Sequence, residues 1–137
     1  MFCYDRRLLV AYFFCMNPHD ASAAESEQFM YKFDIYLSLG DRSGRPVERN
    51  KILAIKNEIL GRFGGLTMTS TFGNPVYDGF WTSPESRRVA HDKNSIFTVL
   101  APQSEDTLNF FIGRHKKWET FLNYEKLLIT VHELQVL

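Results

Sequence analysis

From Tyr31 to Leu39 apolar and polar positions alternate strictly. Phe33, Ile35, Leu37 and Leu39 point one way; Lys32, Asp34, Tyr36 and Ser38 point the other. That period of two predicts a half-buried strand. Gly40 to Gly44 reads as a turn-rich loop. Pro46 then suits a first helical position, with Glu48 in the first turn. Ile52, Ile55, Ile59, Leu60 and Phe63 recur at helical spacing, with Lys51, Lys56, Asn57 and Glu58 between them. Gly64-Gly65 ends this helix, because glycine enters the left-handed cap without steric cost.

The second half repeats the logic. Leu66 to Thr71 is a short strand pattern, and residues 72–79 (FGNPVYDG) form a turn or irregular loop. Phe80-Trp81-Thr82 resumes the strand. Ser83 to Lys93 reads as a polar connection. Asn94 to Ala101 is apolar on both faces, the mark of a central strand. Ser104 is placed to cap a second helix, with Glu105 and Asp106 at its positive end. Leu108, Phe111, Ile112, His115, Trp118 and Leu122, with Phe121 beside them, form its apolar stripe. Leu127 to Val136 is the last strand: Leu127, Ile129 and Val131 share one face, and Leu128, Thr130 and His132 the other. The order β-α-β-β-α-β, with right-handed crossovers, predicts an α+β domain of the ferredoxin-like fold. Its four-stranded antiparallel sheet would run 4-1-3-2 with both helices on one face.

The first thirty residues break this regularity. Arg6-Arg7 precedes the uncharged run Leu8 to Met16, a polar turn at Asn17 to Asp20, and then Ala21-Ser22-Ala23-Ala24. Basic, apolar and small-residue parts in that order have the form of a secretory signal, with cleavage after Ala23 or Ala24. Tyr12, Asp5 and Asp20 depart from the pattern. Two other readings stand beside it: a disordered or mis-started extension with Met30 as the working start, and a short element packed on the domain. Residues 1–29 are therefore a leader and residues 30–137 a single domain. The expected location is periplasmic or secreted if the leader is a signal, and cytoplasmic if it is not.

Composition narrows the classes. The chain has 137 residues, with 16 Lys and Arg balanced by 16 Asp and Glu, and 15% aromatic residues. This is enough for a core, which excludes a generally disordered chain. The body alone holds 14 basic and 12 acidic residues. So small an excess argues against a nucleic-acid partner. Both cysteines, Cys3 and Cys15, lie in the leader, so the body has no thiol nucleophile and no disulfide. No stretch reaches the roughly 18 apolar residues of a membrane span.

Residues 32–137 resemble a family of small bacterial proteins of unknown function. The pieces that carry the likeness are Arg62 to Thr67 (RFGGLT) at a helix end, Gly79-Phe80-Trp81, Asp92, Ile96 to Leu100, and Leu127 to Val131. Members often carry export signals. The resemblance implies a fold and a compartment, and no activity.

Candidate chemistry is sparse. His91-Asp92 lies in the polar connection beside Arg87, Arg88 and Lys93; a carboxylate next to a histidine can orient it and raise its pKa, although adjacent residues seldom face each other. His115 reads as a hydrogen-bonded boundary histidine, and His19 falls in the leader. His132, on the outer face of the last strand, would approach Asp34 or Tyr36 if the register allowed. Gly61, Gly64 and Gly65 sit at a helix end and read as a cap, not a phosphate cradle. No spacing calls for a metal or a cofactor. Tyr36 and Phe97 stand where base-stacking aromatics of RNA-binding relatives of this fold would stand, but the basic glycine-aromatic motif is missing from 94–101. Tyr77, Phe80 and Trp81 crowd the 72–81 stretch and could line a ligand pocket, an interface or the sheet edge.

Two functions follow. One is a non-catalytic binding or assembly module, homodimeric through its sheet face, with Phe97, Val99 and Leu128 buried at the contact. The other is a small enzyme of the dimeric α+β barrel type with a His132, Asp34 or Tyr36 site. A small-molecule ligand is not specified by either.

Overall fold

The computed structural model describes residues 28–69 and 77–137. The leader up to residue 27, with its signal-like segment, His19 and both cysteines, lies outside the described residues, as does 70–76 with Phe72, Gly73 and Pro75. The described chain is α+β, with two helices and an antiparallel sheet of five strands. In chain order these are β1 (Gln28–Ser38), α1 (Arg49–Phe63), β2 (Thr67–Met68), β3 (Tyr77–Thr82), β4 (Val89–Pro102), α2 (Glu105–Phe121) and β5 (Leu128–Val136). The sheet runs β2-β4-β1-β5, and β3 also pairs with β4. No described helix is long and apolar enough to cross a membrane.

β1 and β4 form the centre. Their register sets Phe33 opposite Val99, Ile35 opposite Phe97 and Leu37 opposite Ser95. All six side chains are buried under the helices. Ile52, Ile55 and Ile59 of α1 and Phe111 and Trp118 of α2 join the same core, so both helices cover one face. Phe111 stacks on Phe33, with ring centroids 3.8 Å apart, and lies parallel to Phe63 at 5.3 Å. Truncating a large side chain at such a site to alanine costs about 3–5 kcal/mol, transfer energy plus cavity.

Here Phe97 and Val99 depart from expectation. They face the helices, not an outer dimer contact, and both are fully buried. The register with β1 decides this: Phe97 stands across from Ile35, so it must share that residue's face. Ile96, Thr98 and Leu100 take the outer positions, and Tyr36 and Phe97 lie on opposite faces of the sheet.

The connection expected over 83–93 is also shorter. β4 begins at Val89 and pairs with β3 as a hairpin, Phe80 opposite His91 and Gly79 opposite Asp92. The turn closes through Arg87 N–H to Ser83 O at 2.8 Å, with Arg87 in the left-handed region at φ 55°. Cross-strand bonding draws the polar residues His91 and Asp92 into a strand although they bury little. Likewise α1 starts at Arg49, later than Pro46 and Glu48 suggest. Pro46 instead bridges to Gly40, which closes the 40–46 loop.

The helix ends behave as the residues predict. Gly64 takes φ 78° and donates to Leu60 O. Ser104 accepts from the Thr107 N–H at 3.2 Å. Ile112 leaves the stripe and is exposed. Glu58 ties the helices together, taking Trp118 Nε1 at 3.0 Å and pairing with Arg114.

The start of β5 is held by α2. Glu119 is buried and accepts the Leu127 N–H at 2.9 Å and Lys116 Nζ at 2.7 Å. The His115 ring donates to the Leu127 carbonyl at 2.6 Å. Lys116 first, then the Leu127 amide, hold the Glu119 carboxyl below its ordinary pKa. A carboxyl lowered by folding stabilises the fold above its unfolded pKa and loses that contribution as the pH falls through the folded value. Glu119→Gln is expected to cost about 1–2 kcal/mol at pH 7. Urea denaturation at pH 7 and at pH 3.5 checks this: the wild type should lose more stability between the two than the variant does.

Candidate functional site: the open sheet face and its end cavity

The face of the sheet away from the helices carries Lys32, Asp34, Tyr36, Thr98, Thr130 and His132. Pairing lines four of its residues into one row across four strands: Thr67 of β2, Thr98 of β4, Asp34 of β1 and Thr130 of β5. Asp34 is only 7% exposed. A buried carboxylate needs compensating partners, and Asp34 has two. Thr98 Oγ1 donates to its Oδ1 at 2.6 Å, and Lys32 Nζ lies 3.1 Å from its Oδ2. The Thr130 hydroxyl is buried in the same row with no hydrogen-bond partner.

This settles the placement of the His132 group. His132 stands opposite Lys32, and Asp34 opposite Thr130. Histidine and carboxylate are therefore diagonal, and the carboxylate is engaged by Lys32 and Thr98. Tyr36 sits between Ile96 and Leu128 in the next open-face row.

The hairpin candidates divide between the two sides, because neighbours on a strand point apart. His91 pairs with Asp78 at 2.7 Å, and Phe80 stacks on its ring at 4.6 Å. Asp92 turns the other way and accepts from Trp81 Nε1 at 2.7 Å. His91 and Asp92 thus serve two separate contacts and do not act as a pair. Gly79 makes room here: a Cβ on it would lie 2.5 Å from Asn94 Nδ2. Tyr77, Phe80 and Trp81 are exposed on this hairpin. Nearby, Tyr124 donates its hydroxyl to the Ser38 carbonyl, and burial, with a smaller push from the Asp92 charge, raises its pKa.

A cavity of about 780 Å³ opens where the sheet meets the end of α1 and the start of α2. Met30, Phe63, Leu66 and Leu100 give it apolar walls. Thr67 and Thr98 bring the polar row to its side, and Arg62 and Asp106 supply one charge of each sign. None of the sequence candidates lines it. The threonine row has no signal in the sequence, because Thr98 stands alone in the apolar stretch from Ile96 to Ala101 and only the register aligns it with Asp34. Among the described residues no three His, Cys, Asp or Glu side chains gather as metal ligands would.

No family model matches the chain, and no curated protein does. Among solved structures, the chain is similar to a phage SAM lyase in complex with S-methyl-5'-thioadenosine, at 11% identity and a TM-score of 0.50. The likeness covers 78% of this chain and 90% of the lyase. At that identity it shows the fold alone.

Proposed function

We propose that the protein is a small-molecule-binding domain, built on a ferredoxin-like βαββαβ frame with the β3 hairpin added, and that its ligand occupies the end cavity. The observation that carries this reading is the cavity itself. Its volume falls in the range of ligand pockets, and its lining follows their rule of apolar walls with a few polar groups. A nucleoside-sized molecule suits that volume. The phage lyase of similar fold was solved with an adenosine thioether, which makes that compound a rational probe and keeps an enzymatic role in view. The binding reading is preferred because Asp34 is already engaged by Lys32 and Thr98, so that among the described residues no carboxylate orients His132. Adding S-methyl-5'-thioadenosine to the ¹⁵N-labelled full-length protein is expected to shift the amides of Leu66, Thr98 and Leu100. Unmoved cavity amides would refute a nucleoside ligand.

A second reading, self-association through the open face, is favoured by one observation. Leu128 is 49% exposed in a row with Tyr36 and Ile96. Tyr36 and Ile96 are half-buried, and an exposed apolar side chain that extends such a row on an open sheet marks a candidate contact. Light scattering after sizing chromatography should give a dimer for the wild type and a monomer for Leu128→Arg. A wild type that is monomeric at high concentration ends this reading.

Export and membership of the small bacterial family belong to the same proposal. The support is the basic, apolar, Ala-Ser-Ala-Ala order of residues 6–24 and the RFGGLT and Gly-Phe-Trp elements. Expression of the full-length gene in an export-competent bacterium is expected to yield a chain starting near Glu25. An intact N-terminus by mass spectrometry would count against export.

A further inference from the structure

We infer that Thr98 is a specificity-determining residue of the cavity and that it selects a hydrogen-bond donor on the ligand, a hydroxyl or an amine. This rests on the cavity being the ligand site. A threonine hydroxyl has one proton and two lone pairs. The carboxylate of Asp34, paired with Lys32, offers only acceptor positions toward Thr98, so the Thr98 proton is committed to Asp34 at 2.6 Å. What remains on the Thr98 oxygen is acceptor capacity, and Thr98 lines the cavity. A ligand group placed against it is matched if it donates. A ligand offering only an acceptor there meets two oxygens with no proton between them, and it loses the bond it had with water.

Asp34 does not line the cavity, so its part is to position. It is buried and braced on both oxygens, so the hydroxyl it holds cannot readily turn. The Lys32 ammonium balances its charge, which makes the selection one of proton direction and not of ligand charge. Leu100, two residues along β4 from Thr98, and Met30 farther along the same face provide the apolar wall on which the carbon body of such a ligand would rest.

A matched pair of probes isolates the effect. Benzyl alcohol and benzyl methyl ether share a ring and an oxygen, and only the alcohol donates. ¹⁵N titrations of the full chain should show the alcohol binding roughly 3- to 10-fold tighter than the ether, the range of one neutral hydrogen bond. Thr98→Ser should keep the ratio, because it keeps the hydroxyl. Thr98→Val should bring it to about one while the ether binds as before. Asp34→Asn, which can itself donate to Thr98, should shrink the ratio without abolishing binding. Thermal melts of each variant separate this from loss of folding. Equal binding of the two probes to the wild type overturns the donor selection and leaves the cavity reading intact, as does an unchanged ratio in Thr98→Val. If neither probe moves the cavity amides, the cavity is not a binding site and both readings fall.

Discussion

The pairing of β1 with β4 is the constraint on which the remaining structure depends. It extends from Met30 opposite Pro102 to Ser38 opposite Asn94. One register serves two faces at once, because side chains alternate with a period of two. On the inner face it brings Phe33, Ile35, Phe97 and Val99 together under the helices. On the outer face it sets Asp34 beside Thr98. A slip of one residue would put either Asp34 into the aromatic core or Phe97 into water, so the core and the polar row enforce the same alignment.

The helices then complete what the sheet begins. Phe111 stacks between Phe33 and Phe63, joining β1, α1 and α2 in one aromatic cluster. Glu58 and Glu119 carry the polar side of this arrangement. Each carboxylate joins an element to its neighbour: Glu58 joins α1 to α2, and Glu119 joins α2 to the start of β5. Neither group is available for chemistry with a ligand, since each already satisfies donors of the fold. The cavity arises at the opposite kind of place. It lies between the end of α1, the start of α2 and the sheet, and among the described residues its lining leaves that space open.

Much of the fold was legible in the pattern. The alternation of 31–39 and 127–136, the helical spacing of 52–63, the Gly64 cap and the Ser104 cap all report local geometry, which neighbouring residues dictate. The departures share a cause. An apolar run gives no face by itself, so the pattern alone does not turn Phe97 inward. A hairpin strand outside the core shows no hydrophobic period, so His91 and Asp92 read as loop. The predicted helix start at Pro46 gave way to a bridge with Gly40, a contact that only the closed loop provides.

The sequence by itself determined both helices and the core strands, that Asp34 and His132 lie on outward positions, and that the body contains no thiol. The tertiary structure decided which of these residues meet. Asp34 meets Thr98 and Lys32, and stands diagonal to His132, because strand register is a relation between distant segments that no local pattern encodes. The cavity likewise exists only between elements. Its walls come from β1, α1, β2, β4, α2 and the end of β5, segments far apart in the chain that only the packed fold brings together.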